Sequence, residues 1–284
     1  MAQFNWSLLN FAWSLGIRSI VKGHLVNGSK QIVAPILYWR FPEFSECLSH
    51  IDSIAIKPLK ILDIGSPKLL SLFLVIKRNY EVYATDLQDK EVFRRYKQHF
   101  DDWGLSKNVP GEYIVEFQDA RSLKYADDTF DIVFSLEVLG HIPDNGDTIA
   151  MREIQRVLKK GGIAIIAVPY ANKANDLFVH HDVYGRRFEG KPIFFLRQYD
   201  RHSVQKRLVS PSRMTLLKET ILGERFPFES WWDRIPRFLK IPFIWGEPFL
   251  SMVNLKTMDA YTVQKDMTLE YKRAMNISLI LKKQ

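Results

Sequence analysis

A single cysteine, Cys47, stands in 284 residues, which excludes an internal disulfide framework and suits a reducing compartment. Long apolar runs are missing too. None approaches the roughly 18 residues that suggest a membrane span, and the longest candidate, Ile163 to Ala171, reads as a buried strand and its exit. The N-terminus is apolar, but its first basic residue, Arg18, lies behind the apolar part. A secretory signal puts its positive charge in front, so the chain reads as cytoplasmic. No repeat and no low-complexity tract is present. His180, His181 and Asp182 are adjacent in sequence, and adjacent side chains rarely converge on one ion; with no further His or Cys cluster in support, no metal is expected.

What is present is an ordinary globular composition, 46% hydrophobic and 25% charged, in a chain long enough for one elaborated domain. The net charge of +8 favours an anionic partner, an anionic surface or an acidic substrate, without choosing among them. From Lys60 onward short apolar runs alternate with helical patterns. Strands are predicted at 61–64, 81–85, 113–118, 131–136 and 163–168, with helices at 68–77, 90–103 and 148–160. Such alternation predicts right-handed crossovers and a parallel sheet covered on both faces. Asp144 and Asn145 offer N-cap chemistry to the last helix, and Gly161-Gly162 an exit from it. Further on, 214–224 reads as a strand and the closing 275–283 as an edge strand.

The first strand ends in Asp63-Ile64-Gly65, where a dinucleotide site would next supply two more glycines. Ser66, Pro67 and Lys68 follow instead. Ser66 is a good N-cap and Pro67 falls at the first helical position, so the loop is a well-formed helix start. Its backbone cannot wrap a pyrophosphate closely, which counts against NAD and FAD. A cofactor that joins an amino acid to a ribose and an adenine needs less: an acid near its ammonium group and one glycine for close approach. Two more acids sit at the next strand ends. Asp86 follows Asp63 by 23 positions, the distance at which a carboxylate accepts both ribose hydroxyls, and Asp119 can accept an adenine amino group while Ala120 offers its backbone N–H. Each acid alone reads as a cap or loop solvator; three at successive strand ends point to a site.

The order ILDIG, VYATD, FQDARSL, FDIVFSLEVLGHIPD and REIQRVLKKGGIAIIAVP resembles the class I S-adenosylmethionine-dependent methyltransferases, over roughly residues 60 to 169. It looks most like the branch with a small, variable methyl acceptor. The resemblance implies an α/β fold: a doubly wound, Rossmann-like, mostly parallel sheet with an antiparallel C-terminal edge strand, N-terminal helices and a C-terminal aromatic elaboration. It implies S-adenosylmethionine as cofactor, with Asp63 and Gly65 at the methionine end, Asp86 and Leu87 at the ribose, Asp119 and Ala120 at the adenine, and Ser135 and Leu136 beside the sulfonium. Family members usually read Gly-x-Gly after the first acid; here Gly65 is kept, Pro67 and Leu69 occupy the later glycine positions, and the Ser-Pro cap marks a variant loop.

Methyl transfer is an in-line displacement at an activated carbon, so the main task is to bring donor and acceptor together. A hydroxyl acceptor also needs a base. His141, after the fourth strand, is the candidate catalytic residue, and its alternative role is to order that loop. Beyond the fifth strand, Arg186, Arg187, Arg197 and Arg201 can read an acidic acceptor or form a solvated basic face. The aromatic segment 226–250, with Trp231, Trp232, Phe238, Phe243, Trp245 and Phe249, suits a lid around an apolar acceptor first and a membrane-surface element second. Three parts are therefore expected: a helical cap over 1–59, a cofactor-binding core over 60–169, and an acceptor-binding elaboration over 170–284. The acceptor expected is a small molecule, a glycan or a lipid-like compound. A catalytically silent scaffold is the alternative, and an RNA methyltransferase the second. Against the latter, the acid-aromatic dipeptides of base-modifying members are replaced by SLEVLG, and no separate basic module is evident.

Overall fold

The computed structural model describes residues 5–55, 58–65, 68–87, 111–180, 190–226, 228–232, 234–240, 243–259 and 273–284. Asn5 starts α1 (Trp6–Val21), its side chain accepting from the Leu8 N–H at 3.0 Å, and Leu8, Leu9, Phe11, Ala12 and Leu15 bury one stripe. α2 (Leu25–Val33) folds back across it. At the crossing a Cβ on Gly16 would stand 2.9 Å from the Gly28 carbonyl oxygen, so these two glycines let the helices meet backbone to backbone. α3 (Arg40–Asp52) buries Phe41, Phe44, Cys47, Leu48 and Ile51.

Five parallel strands follow: β1 (Lys60–Ile64), β2 (Glu81–Asp86), β3 (Tyr113–Phe117), β4 (Phe130–Leu136) and β5 (Leu158–Pro169), ordered β3-β2-β1-β4-β5. α4 (Lys68–Arg78) links β1 to β2, and α5 (Gly146–Val157) links β4 to β5. Alternate residues feed two cores. Leu62, Val133, Ala164 and Ile166 meet Ala150, Met151, Ile154 and Val157 of α5. On the other face Ile61, Ile132, Phe134 and Ile165 meet α1, α3 and α4. β1 and β4 are therefore buried almost throughout, as strands covered on both faces must be.

β6 (Asn175–Val179) and β7 (Ile193–Gln198) form a separate antiparallel ribbon in the stretch that reads as merely polar and basic. β8 (Thr215–Glu224), β9 (Leu255–Asp259) and β10 (Arg273–Lys282) complete the main sheet, in the order β5-β10-β8-β9. The antiparallel edge strand is present, but it is β9. The closing segment, expected at the edge, runs antiparallel between β5 and β8 and is hydrogen-bonded on both sides. The helix expected over 148–160 begins at Gly146 and ends at Val157, because Leu158 enters β5. The expected helix at 90–103 and the Ser66-Pro67 cap lie outside the described residues.

Candidate active site

The strand order reverses between β1 and β4, which opens a crevice at their carboxyl ends. Gly65 leaves β1 with φ +62°, its N–H donating to the Thr85 carbonyl of β2 at 2.7 Å. A Cβ at this position would stand 2.6 Å from Cγ1 of Val138, so the first loop and the loop after β4 are in contact. Asp63, the residue two before, is fully buried. Its carboxylate accepts from the Ser71 hydroxyl of α4, which ties strand to helix, and its backbone oxygen accepts from the Thr85 hydroxyl at 3.0 Å. Burial, and behind it the charge of Asp63, pushes the Cys47 thiol well up.

Asp86 ends β2 half-buried, with Leu87 exposed beside it. The Asp86 carbonyl accepts from the Gln118 N–H at 3.2 Å, which brings the β3 end alongside. There Asp119 is engaged by its own neighbour: the Arg121 side chain donates from Nε at 3.0 Å and from Nη2 at 2.7 Å, and the Arg121 backbone N–H at 2.9 Å. That pairing holds the Asp119 carboxyl below its usual range. Ala120 is buried next to it. At the end of β4 Ser135 is buried, its Oγ 3.5 Å from the Ile64 carbonyl, and the Leu136 carbonyl accepts from Nη1 of Arg40 at 3.3 Å.

A polar group that the sequence gives no reason to single out lies directly behind these residues. Glu137 takes φ +61°, a left-handed conformation rare for a non-glycine residue. Residues of β4 alternate between faces, and the turn breaks that alternation. It brings the Glu137 carboxyl beside Glu43 of α3 and Asn276 of β10. Asn276 donates from Nδ2 to Oε1 of Glu43, and Arg40 donates to its Oε2 at 3.1 Å. Among the described residues, buried Oε1 of Glu137 has no hydrogen-bond partner. Burial, then the negative charge of Glu43, raises the Glu137 carboxyl well above its ordinary range, and burial raises Glu43. The two carboxyls therefore hold a proton more readily than free ones do.

His141 closes the turn Leu139–His141 with Nδ1 2.6 Å from the Phe195 carbonyl of β7. A carbonyl only accepts, so Nδ1 carries the hydrogen and the neutral ring keeps a lone pair on Nε2. Desolvation by the protein packed around it lowers the ring's pKa from 6.5, which favours that neutral form, although the residue stays exposed at the surface. Behind the turn, Asp147 of α5 is fully buried and accepts from Arg197 at 3.1 Å, Arg207 at 2.7 and 2.8 Å and Tyr199 at 2.7 Å. Arg197 also pairs with Asp176 at 2.9 and 3.0 Å, and it is 8% exposed. Arg197 thus ties the ribbon to α5 through two carboxylates and is not part of a solvated basic face, one of the two readings the sequence left open. Arg186, Arg187, His181 and Asp182 lie outside the described residues. Among the described residues no group of three His, Cys, Asp or Glu side chains is placed to hold a metal.

The aromatic segment builds a cavity of about 520 Å³ lined by Phe228, Trp231, Trp232, Ile235, Leu239 and Phe243. Its wall is fixed by Glu247, which accepts from Trp232 Nε1 at 2.8 Å and from the Tyr38 N–H at 2.9 Å. Trp231 is exposed, while Trp232 is half-buried and stacks on Phe228, 5.2 Å away, against a small core of Tyr38, Leu222 and Leu255.

Residues 62–166 match the family model described as a methyltransferase domain. Over 104 residues the chain is 31% identical to the 27-O-demethylrifamycin SV methyltransferase of Amycolatopsis mediterranei, covering 36% of each chain. Over 60 residues it is 37% identical to the 2-methyl-6-phytyl-1,4-hydroquinone methyltransferase of a Synechocystis strain, covering 21% of this chain and 18% of that one. The chain thus spans about a third or less of the length of these relatives. A solved S-adenosylmethionine-dependent methyltransferase of Methanosarcina mazei superposes with a TM-score of 0.54 at 16% identity, over 82% of this chain and 96% of that one. That likeness establishes the fold.

Proposed function

We propose, for a chain whose residues 62–166 match the methyltransferase domain model, that it transfers a methyl group from S-adenosylmethionine to a small, largely apolar acceptor. The observation that carries this reading is the carboxyl edge where strand order reverses, with Gly65 against Val138 and Asp86 and Ser135 at the flanking strand ends. The residues fit the cofactor. Gly65 lets the first loop and the loop after β4 close on one another at Val138, and Asp86 presents an acceptor suited to paired ribose hydroxyls. Leu87 and Ala120 supply apolar contact for the adenine, Asp119 an acceptor that is shared with Arg121, and Leu136 and Asp63 the border of the methionine end. The bound cofactor supplies a methyl carbon already activated by its sulfonium.

The protein's own work is then to align the acceptor and to take its proton where it has one. His141 fits the second role, since its Nδ1 hydrogen is spent on Phe195 and its Nε2 lone pair is available near neutral pH. The aromatic cavity and the relatives named for a rifamycin and a phytylated hydroquinone support a small-molecule acceptor. Fold alone does not choose the acceptor.

Titration calorimetry with S-adenosylhomocysteine tests this reading. Saturable binding is expected, with affinity at least about tenfold weaker in Asp86→Ala, because charge-assisted hydrogen bonds contribute roughly 1.5–3 kcal/mol each. No heat and no thermal shift at millimolar ligand defeats the reading, and unchanged affinity in a folded Asp86→Ala places the ribose elsewhere.

A further inference from the structure

The first 42 residues contain no Asp or Glu, while Arg18, Lys22, Lys30 and Arg40 lie among them. This acid-free segment builds the α1–α2 hairpin, locked at the Gly16–Gly28 crossing. Its inner stripe is buried, but its tip is not: Val21 is 79% exposed, Val26 68%, Leu25 62% and Ile17 55%. Arg18, Lys22 and Lys30 are exposed between them. A hairpin tip of this composition has no local reason to stay apolar in water.

The tip does not stand alone. α2 packs against the turn Ile244–Gly246 of the aromatic segment. Trp6 meets the Phe249 ring at 5.9 Å, and Phe249 meets Trp245 at 6.4 Å; Trp6 and Trp245 are both exposed. Exposed aliphatic and aromatic groups from two distant parts of the sequence thus share one side of the molecule, with lysine and arginine interspersed. Large exposed apolar patches mark interaction sites. Aliphatic residues flanked by tryptophan and framed by cations match the boundary between headgroups and acyl chains.

We propose that the α1–α2 tip and the Trp245–Phe249 edge form a peripheral docking surface for an anionic lipid bilayer. Ile17, Val21, Leu25 and Val26 enter the boundary layer, and Arg18, Lys22 and Lys30 meet lipid phosphates. No helix is long and apolar enough to cross a membrane among the described residues, so the contact is with the surface. The absence of any acid before Glu43 makes the occupant anionic lipid, in preference to a second copy of the chain, whose matching face would carry the same positive charge. This surface adjoins the aromatic cavity and extends the reading of an apolar acceptor, but its test needs neither cofactor nor acceptor.

Flotation with phosphatidylcholine vesicles, and with vesicles of equal parts phosphatidylcholine and phosphatidylglycerol, measures the partition of the full chain. Partition at least about tenfold stronger to the anionic vesicles, weakened by salt, is expected from three cations at the surface. The double variant Val21→Glu with Val26→Glu should lose this binding while keeping the wild-type melting temperature and cofactor affinity, since both side chains are exposed. Lys22→Glu, a second exposed position, should weaken it without touching the apolar contact. Equal partition to both vesicle types, binding that survives the double variant, or a salt-resistant dimer by light scattering with no vesicle binding would each overturn the proposal. Failure here leaves S-adenosylhomocysteine binding unaffected, so the two readings stand or fall separately.

Discussion

Replacing Gly65 by Ala perturbs the fold where the first loop meets the loop after β4. The backbone there has φ +62°, and a left-handed residue with a Cβ costs roughly 1–2 kcal/mol. The new methyl would also stand 2.6 Å from Cγ1 of Val138, about an ångström inside the normal carbon–carbon separation. Val138 is β-branched and stiff about χ1, so the overlap is relieved by moving the backbone, at roughly 1–3 kcal/mol for overpacking. The sum is about 2–5 kcal/mol. At roughly 2–4 °C per kcal/mol for a chain of this size class, the melting temperature should fall by roughly 5–20 °C. S-adenosylhomocysteine affinity should fall at least about tenfold, because the displaced segment borders the proposed methionine end. Adding Val138→Ala removes the overlap but not the φ penalty, so the double variant should recover about half of the lost stability, a coupling expected of residues in contact. Calorimetric melts and titrations of wild type, both single variants and the double variant measure each quantity. Wild-type stability and affinity in Gly65→Ala would refute the geometry, and a double variant no more stable than the single would show that Val138 is not the obstacle.

Asp147→Ala strands Arg197 and Arg207 beside a hole where a fully buried carboxylate had been, at a cost of about 3–5 kcal/mol; chemical denaturation checks it, and a loss below about 1 kcal/mol would show that the network is ornamental. Glu137→Gln keeps the shape and removes a carboxyl whose folded pKa is raised above 4.5, so wild-type stability from this group is full at low pH and is lost as pH rises through the folded value. Melts from about pH 4 to pH 8 should show the variant gaining on wild type as pH rises, and a constant or reversed gap contradicts the assignment.

The parallel half of the sheet was readable because each of its strands is a short apolar run bounded by helical periodicity. The strand-end acids were readable because a parallel sheet places successive strand ends on one edge. Three features were not, for separate reasons. β10 lies inside the sheet because it pairs with residues 163–169 and 215–224, and a long-range register leaves no local mark. The lysine–glycine stretch 159–162 reads as a helix exit, yet it is held in β5 by the chain end: the Gly161 N–H donates to the Lys283 carbonyl at 2.9 Å and the Lys283 N–H to Gly162 at 3.0 Å. Glu137 was passed over because a charged residue after a strand normally faces water; only its positive φ returns it to Glu43. Asn145, expected to cap α5 with its side chain, makes no such bond. The chemistry of that helix start sits two residues later, in Asp147, whose arginine partners are 50 and 60 residues away.

These long-range contacts decide how the two halves of the proposed site communicate. The proposed cofactor edge is built from β1 to β4, whose residues are fixed by the sheet itself. The turn that carries His141 is not part of the sheet. It is held by β7, through the Phe195 carbonyl on Nδ1 and through Gly140, where a Cβ would stand 3.1 Å from the Arg197 carbonyl oxygen. β7 is in turn fastened to α5 by Arg197 and Asp147, and α5 follows that same turn after four residues. The ion pairs therefore close a ring of contacts from the β4 loop through the ribbon and back. Within this ring the ribbon sets the position and tautomer of His141, while Asp63 and Asp86 lie outside it. Gly65 touches this ring at Val138, so the turn that carries His141 is held on one side by the ribbon and on the other by the first loop.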